Sequence, residues 1–251
     1  MLHLSQRAGI FNTASPEMSK FTEAFERGEG LYSVADVAFY AKMHPNTVRA
    51  WFTSRDRRIF RAGTSSIDSC FLSYTDLIEA IYVRKLRREF HIGFPVIRTA
   101  IDMAKKLKGV EHPFAHPDFR TVVVGKEINI IEKESDDTMI ALAPNSRQVS
   151  ATAILEQFID ELEFDAGKNI IKYIAFKAPR DRVFIAPNFN FGSPMMESSG
   201  YTAETLWRAR NAEGGIPEAA KAYGVEDFTV KAAVDYYDGI LEFKRTLRKA
   251  A

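Results

Sequence analysis

Two segments of this 251-residue chain align without a gap at an offset of 182 residues. The first is Val34–Trp51 (VADVAFYAKMHPNTVRAW) and the second is Ile216–Ala233 (IPEAAKAYGVEDFTVKAA). In each segment a small residue, Ala38 or Ala220, stands in the first half, where a second helix must approach closely. A hydrophobic residue follows the turn, and a Val anchors the second half. This pattern predicts two helix-turn-helix units, one near each end of the chain.

Polar residues set the boundaries of the first unit. Ser33 and Asp36 have the spacing of a capping box, in which each side chain accepts from the other residue's backbone N–H. That spacing predicts a helix over 34–41. A turn at 42–44 follows, and Pro45 suits the first position of a second helix, where its missing N–H costs nothing.

The second helix of this unit has an apolar side and a polar side. Helical spacing buries Val48, Trp51 and Phe52 and leaves the polar side chains outside. In the major groove Asn pairs with adenine, Arg pairs with guanine, and Thr or Ala contacts the thymine methyl. Side chains near the start of such a helix usually contact phosphates. The residues predicted to bind DNA, including the arginines that follow the helix, are His44, Asn46, Thr47, Arg49, Ala50, Thr53, Arg55, Arg57, Arg58 and Arg61.

The distribution of charge favours the same interpretation. The chain has a formal net charge of +1, but residues 1–110 contain 17 Lys and Arg against 11 Asp and Glu, and residues 111–251 contain 17 against 22. Between 49 and 61 there are five arginines and one acid, and such a cluster favours duplex binding through release of counterions. A solvated arginine-rich loop with no ligand is the alternative.

The second helix-turn-helix unit differs at the start of its second helix. Glu226 and Asp227 stand there, where carboxylates suit the helix dipole but repel phosphate. We therefore interpret this unit as a protein-contact or dimerisation surface.

The remaining patterns predict a mainly α fold with small β elements. We expect a hairpin or wing over 54–73, helices over 74–90 and 95–107, an extended link at 112–117, β runs at 121–124 and 128–131, an amphipathic helix over 150–164 with Leu162 on its buried stripe, β segments at 170–176 and 183–185, an irregular connection over 187–200, and helices in the last fifty residues. The predicted units are an N-terminal arm (1–30), a winged helix-turn-helix (31–110), a central β-hairpin and linker-helix segment (111–182), and a small helical, helix-turn-helix-like domain (183–251).

Several classes of function are not favoured. The single Cys70 cannot form an internal disulfide, and neither a signal-peptide core nor a long apolar run is present, so we expect a cytoplasmic protein with no membrane partner. His112 and His116 have the spacing of a zinc pair, but Pro113 and Pro117 break the helix that this spacing requires. No phosphate-binding loop, nucleophile elbow or zinc-protease motif occurs. We therefore predict no catalytic residue, no metal and no cofactor.

Two groups of residues resemble known families. Residues 31–108 resemble the winged-helix head of MerR-type regulators through Ser33–Ala38 (SVADVA), Thr47–Trp51 (TVRAW), Asp76-Leu77, Leu86-Arg87, Gly93 and Ile97-Arg98. Residues 183–240 resemble the small helical domain-of-unknown-function 433 family through Ile185–Pro187 (IAP), Phe191–Pro194 (FGSP), Gly200, Thr202, Gly214–Ile216 (GGI), Glu218, Ala220, Tyr223-Gly224 and Val230.

Together, in this order, the two regions resemble VapB-type antitoxins. The resemblance implies that the chain represses its own operon by binding operator DNA and neutralises a PIN-like ribonuclease toxin. The residues expected to contact that partner are Gly192, Pro194, Tyr201, Glu226 and Asp227. We expect a homodimer, because one short recognition helix offers too few base contacts for operator affinity. The alternatives are a stand-alone MerR-like transcription regulator with no toxin and an adaptor that binds only proteins.

Overall fold

A computed structural model describes residues 32–53, 71–110, 112–124, 127–133, 139–141 and 160–249. The described chain is mainly helical with small antiparallel sheets, which confirms the predicted class. The predicted N-terminal arm, most of the predicted wing and the predicted helix over 151–159 lie outside the described residues.

Both helices of the first helix-turn-helix unit begin at the predicted residues, and the first ends one residue before its predicted end. Helix α1 spans Val34–Tyr40 and helix α2 spans Pro45–Thr53. The capping box is present: the Ser33 hydroxyl accepts from the backbone N–H of Asp36 at 3.2 Å, and the Asp36 carboxylate accepts from that of Ser33 at 2.9 Å. These bonds satisfy backbone donors that the first turn of a helix leaves without partners.

The second unit repeats the geometry of the first at the same offset. Its helices, numbered α6 and α7 in chain order, span Ile216–Tyr223 and Asp227–Lys249, so both begin 182 residues after α1 and α2. The turn after each first helix uses a left-handed residue, Lys42 at φ 49° and Gly224 at φ 64°.

The turn hydrogen bonds also correspond. The amide of Met43 donates to the carbonyl of Ala38 at 2.8 Å, and the amide of Val225 donates to that of Ala220 at 3.0 Å. This six-residue bond closes the end of a helix. The repeat predicted from the sequence is therefore confirmed in the backbone.

Two longer helices complete the N-terminal half. Strand β1 (Tyr32–Ser33) pairs antiparallel with β2 (Phe71–Leu72), and a second capping box, Ser73 with Asp76, begins helix α3 (Tyr74–Arg88). Helix α4 spans Phe94–Lys108. Both helices were predicted, with ends within two residues of those observed.

The predicted extended link at 112–117 is wrong. Residues Pro113–Ala115 form a 3-10 turn. Phe114 in this turn is 1% exposed, and its ring stacks on Tyr82 of α3 at a centroid distance of 4.9 Å. Burial of a large aromatic side chain is worth more than the extended preference that the flanking prolines confer.

Two antiparallel sheets lie between the helical regions. The predicted hairpin is confirmed as β3 (Phe119–Val124) paired with β4 (Glu127–Lys133), and β5 (Met139–Ala141) adds to β4. The second sheet has the order β6-β7-β8-β9. Its strands are Leu162–Phe164, Ile170–Lys177, Arg182–Ile185 and Met195–Met196.

The sheet corrects the end of the predicted helix over 150–164. Residues Leu162–Phe164 are strand β6, and Leu162 lies opposite Tyr173 of β7. Leu162 is buried, as predicted, but in a strand, because an apolar residue on a half-buried strand fits the same short pattern as one on a helix. This sheet also continues across the predicted boundary at 182–183.

Two tyrosines join the N-terminal head, which comprises helices α1 to α4, to the four-stranded sheet and its β8–β9 connection. The hydroxyl of Tyr32 donates to the carbonyl of Gly192 at 2.9 Å, and that of Tyr74 donates to the carbonyl of Ile185 at 2.8 Å. Both rings are 2% exposed and belong to one apolar core that runs from α1 to β8. The head and the sheet therefore pack as a single body.

The C-terminal helices pack beside the head on the same face of the sheet, where Val183 belongs to their core and Ile185, two residues along the strand, belongs to the core of the head. Helix α5 (Ala203–Ala212) begins at Thr202, whose hydroxyl accepts from the amide of Thr205 at 3.0 Å, and α5 packs along α7. Among the described residues, no helix is both long enough and apolar enough to cross a membrane.

The Tyr32–Gly192 contact can be tested with a methyl group. A Cβ added at Gly192 would lie 2.1 Å from the Tyr32 hydroxyl, and Gly192 has φ +71°. We expect Gly192→Ala to lower the free energy of unfolding by about 2–4 kcal/mol, because left-handed strain adds to overpacking. Gly200→Ala is the control, since Gly200 has φ +72° but nothing within 4 Å of the added Cβ. If urea denaturation shows the same loss of unfolding free energy for both variants, the close contact between Tyr32 and Gly192 is not what requires glycine at position 192.

Candidate nucleic-acid interface

Helix α2 buries one side and exposes the other, as predicted. Val48 is fully buried, and Trp51 and Phe52 are 4% and 2% exposed. The Trp51 ring meets Phe94 of α4 edge to face at 5.8 Å. These contacts fix the rotation of α2 about its axis, and with it the direction of the polar side chains.

The polar side of α2 faces outward. His44, Asn46 and Arg49 are exposed, and Thr47 and Ala50 are partly exposed. The Nδ1 atom of His44 accepts from the backbone N–H of Asn46 at 3.1 Å. The neutral His44 ring therefore carries its proton on Nε2, where it can donate to a ligand. Thr53 is the last residue of α2, and the predicted contacts Arg55, Arg57, Arg58 and Arg61 lie outside the described residues.

An open groove of about 540 Å³ runs along the polar side of α2. One wall is α2 with the turn before it, and the other is the end of α3 with contributions from α4 and α7. Among the described residues, no Asp or Glu lines this groove. The lining residues are Met43, His44, Asn46, Thr47, Ala50, Trp51, Arg84, Arg87, Arg88, Phe94 and Leu247.

Three arginines on one side of α3 make the groove basic. Arg87 donates from Nη1 to the carbonyl of Ile92 at 2.6 Å and lies 4.2 Å above the ring of Phe94. Arg88 lies 4.7 Å from the centroid of Phe243. Guanidinium groups held over aromatic rings keep several N–H donors available to another partner.

Arg84 is the most enclosed of the three. Its Nε atom is buried and has no hydrogen-bond partner among the described residues. Burial lowers the pKa of Arg84, and the charge of Arg88 lowers it further. Burial and the charge of Arg84 also lower the pKa of Lys42. Positive charge is therefore crowded at this end of α3, and a bound anion would relieve the repulsion.

The C-terminal end of α7 lines part of the groove through Leu247. Helix α7 has 23 residues and is about 34 Å long. Its last turns bring Phe243 to Arg88 and place Lys244 4.6 Å from the ring of Phe39 on α1. Sequence reasoning grouped these turns with the acidic half of the chain. The four basic residues among 243–249 (FKRTLRK) were the available signal, but their position beside α2 depends on the path of α7.

The two copies of the internal repeat differ in the exposure of corresponding residues on their second helices. At the corresponding places in α7, Thr229 (for Thr47) and Ala232 (for Ala50) are each 1% exposed. The hydroxyl of Ser198 lies 3.0 Å from that of Thr229 and so covers this side of α7 from within the subunit. The same side of α2 borders an open groove. The two copies therefore differ at Thr47 and Ala50, which are partly exposed where Thr229 and Ala232 are buried, while Lys231, the counterpart of Arg49, is exposed.

The predicted partner-binding residues fall into two groups. Gly192 and Pro194 are buried, so they support the interior and present no surface to another protein. Tyr201 is 39% exposed and meets Tyr223 edge to face at 5.5 Å, which places it beside the α6–α7 turn. Glu226 and Asp227 in that turn are exposed. The structure thus brings Tyr201 to the same surface as the two acids.

A second cluster of titratable groups lies on the buried side of α3. Asp76 and Glu79 are 2% and 0% exposed, and Nδ1 of His112 lies 3.1 Å from Glu79 Oε2. The Oε1 atom of Glu79 has no hydrogen-bond partner among the described residues. Burial raises the pKa of Glu79 above its ordinary value, and the contact with His112 opposes this shift. Within the described parts of the chain, no group of three His, Cys, Asp or Glu side chains could hold a metal ion.

Comparison with known proteins yields a likeness of fold. No family model matches the sequence, and no curated protein matches it. The crystal structure of Rv2018 from Mycobacterium tuberculosis is similar, with a TM-score of 0.59 and 17% sequence identity over 82% of this chain and 97% of that one. At this identity the likeness concerns the fold alone.

The buried Glu79 gives a prediction for the pH dependence of stability. Because its folded pKa is raised above 4.5, the folded state holds this proton more tightly than the unfolded state. The free energy of unfolding should therefore fall as the pH rises from 4.5 through the folded pKa. Glu79→Gln, which has no such proton, should lack this fall in urea denaturation at successive pH values. The exposed Glu213→Gln should behave as the unaltered chain, and a Glu79→Gln profile identical to it would contradict the prediction.

Proposed function

We propose that this chain is a cytoplasmic, sequence-specific DNA-binding protein whose helix α2 enters the major groove of a duplex. In this proposal residues 31–110 are a MerR-like winged helix-turn-helix. Asn46, Arg49, Ala50 and Thr53 read bases, while His44, Thr47 and the arginines at 55, 57, 58 and 61 contact the backbone.

One observation carries the proposal. The polar side of α2 borders a groove lined by arginines and by no described acid, and Thr47 and Ala50 are partly exposed there, whereas their counterparts Thr229 and Ala232 on α7 are buried within the subunit. A surface that is left open and made basic, on a motif known to pack against DNA, is suited to a polyanion.

The protein would act as a homodimer. A single α2 offers too few base contacts for operator affinity, and a second half-site one helical turn away supplies the rest. We further propose, from the resemblance of the sequence to VapB-type antitoxins, that the chain represses its own operon and neutralises a PIN-like ribonuclease. Tyr201, Glu226 and Asp227 then form the surface for this toxin or for the second protomer. No catalytic residue is part of the proposal.

The test is binding of the purified protein to DNA from upstream of its own gene. Fluorescence anisotropy across a range of salt concentrations should show tighter binding to this duplex than to a random duplex of equal length and composition. Equal, salt-dependent binding to both duplexes would show that the protein binds DNA without sequence preference. No binding to either would leave the protein-interaction adaptor.

Substitution of Arg49 tests base reading. Arg49→Ala should weaken binding to the upstream duplex by about 1–3 kcal/mol and relax the preference at one base step, because a bidentate contact to guanine is lost. Lys231→Ala is the matched control, since Lys231 occupies the position of Arg49 in the second repeat and pairs with Asp235 at 2.8 Å. An equal effect of the two substitutions would contradict the assignment of α2.

Charge reversal tests the partner surface. Glu226→Lys should weaken capture of the protein encoded by the neighbouring reading frame, measured with the two purified proteins, and should leave DNA affinity unchanged. Glu242→Lys is the control, because Glu242 is exposed on α7, about 23 Å along the helix from Asp227, the residue that follows Glu226. If no PIN-like protein is encoded beside the gene, the stand-alone regulator replaces the antitoxin.

A further inference from the structure

The groove between α2 and the end of α3 contains donors on both walls. The α2 wall contains Nε2 of His44, the side-chain amide of Asn46 and the hydroxyl of Thr47. The α3 wall contains the guanidinium groups of Arg84, Arg87 and Arg88. All these groups can donate, and the guanidinium groups cannot accept at all. A ligand that satisfies both walls must therefore be rich in acceptors.

Among the described residues, no Asp or Glu forms an ion pair with Arg84, Arg87 or Arg88. Glu89 and Glu161 act on Arg84 electrostatically without pairing with it, and Glu161 pairs instead with Lys85 at 3.1 Å. The buried Nε of Arg84 has no partner among the described residues. A buried guanidinium with an unsatisfied donor is costly, and an anion held in the groove that Arg84 lines would lower the cost of burying its charge.

The arginines are also held in place before any ligand arrives. Phe94 lies under Arg87 at 4.2 Å, and Phe243 lies under Arg88 at 4.7 Å. Because planar guanidinium groups that are already oriented lose little entropy on binding, they suit bidentate contacts to phosphate. The volume of about 540 Å³ exceeds that of a phosphate group alone and leaves room for an attached sugar.

We propose that this groove is a phosphate-binding site, formed by Arg84 and Arg88 opposite His44 and Thr47. The inference rests on the proposed function in one respect, namely that the phosphate is then a diester of the bound duplex, next to the bases that α2 reads. The end of α3, and α7 behind it, thereby join the DNA-binding surface. If the chain bound no DNA, the phosphate would belong to a small phosphorylated ligand.

The experiment compares Arg88→Gln and Arg84→Lys with Arg208→Gln, whose side chain is 71% exposed, pairs with Glu204 on α5 and does not line the groove. Each full-length variant is titrated with the upstream duplex, with a random duplex and with inorganic phosphate. Thermal unfolding of each variant establishes that it is folded, and Arg88 is exposed enough for its replacement to leave the core intact.

We expect Arg88→Gln to weaken binding to both duplexes by the same factor and to lower the slope of log affinity against log salt by about one. The ratio between the duplexes should not change, in contrast to Arg49→Ala. Arg208→Gln should leave the slope unaltered. If the unaltered chain binds DNA and Arg88→Gln matches it in affinity and slope, the groove inference is overturned while the proposed function stands.

The phosphate titration separates the two failures. If the unaltered chain binds neither duplex but binds inorganic phosphate, and Arg88→Gln and Arg84→Lys weaken that binding while Arg208→Gln does not, the proposed function fails and the groove remains a phosphate site. If it binds neither DNA nor phosphate, both proposals fall.

Discussion

The hydroxyl of Tyr32 donates to the carbonyl of Gly192, a residue 160 positions away. The contact is so close that only glycine fits there, with its backbone in the left-handed region. It joins the N-terminal head to the four-stranded sheet, and Tyr74 repeats the attachment at Ile185. Helices α5 and α7 pack beside the head on this sheet, and Phe39 of α1 meets Tyr237 of α7 at a centroid distance of 5.9 Å. The two buried hydroxyls are therefore among the contacts that set the position of the head relative to α7.

That relative position determines the electrostatics of the candidate interface. Helix α7 is long enough to return its basic end to the head, where Phe243 supports Arg88 and Lys244 lies over Phe39. The result is one surface with positive groups from α3, from α7 and from Lys42 in the turn after α1, although α7 belongs to the half of the chain with an excess of acids. Net charge per domain therefore underestimates the basic surface, because a field depends on where charges lie and not on which segment carries them.

The duplicated unit illustrates how one backbone serves two roles. Both copies have the same turn, closed by the same hydrogen bonds from Met43 and Val225. In the second copy Thr229 is covered through Ser198, and Ala232 is buried with it. In the first copy Thr47 and Ala50 border the groove. The shared turn is therefore what a helix-turn-helix needs in order to fold. The exposure of the residues on its outer side differs between the copies and decides which of them a ligand can contact.

The sequence by itself determined the helix starts at Ser33, Pro45 and Ser73 and the polar side of α2, because capping and helical spacing involve neighbours within a few residues. Tertiary structure decided the turn at Phe114 and the strand at Leu162, since distant partners, Tyr82 and Tyr173, outweigh local preference. It also decided that Gly192 and Pro194 lie inside and that Arg84, Arg87 and Arg88 line the groove. No local pattern specifies which arginine meets another helix, because that depends on how the whole core packs.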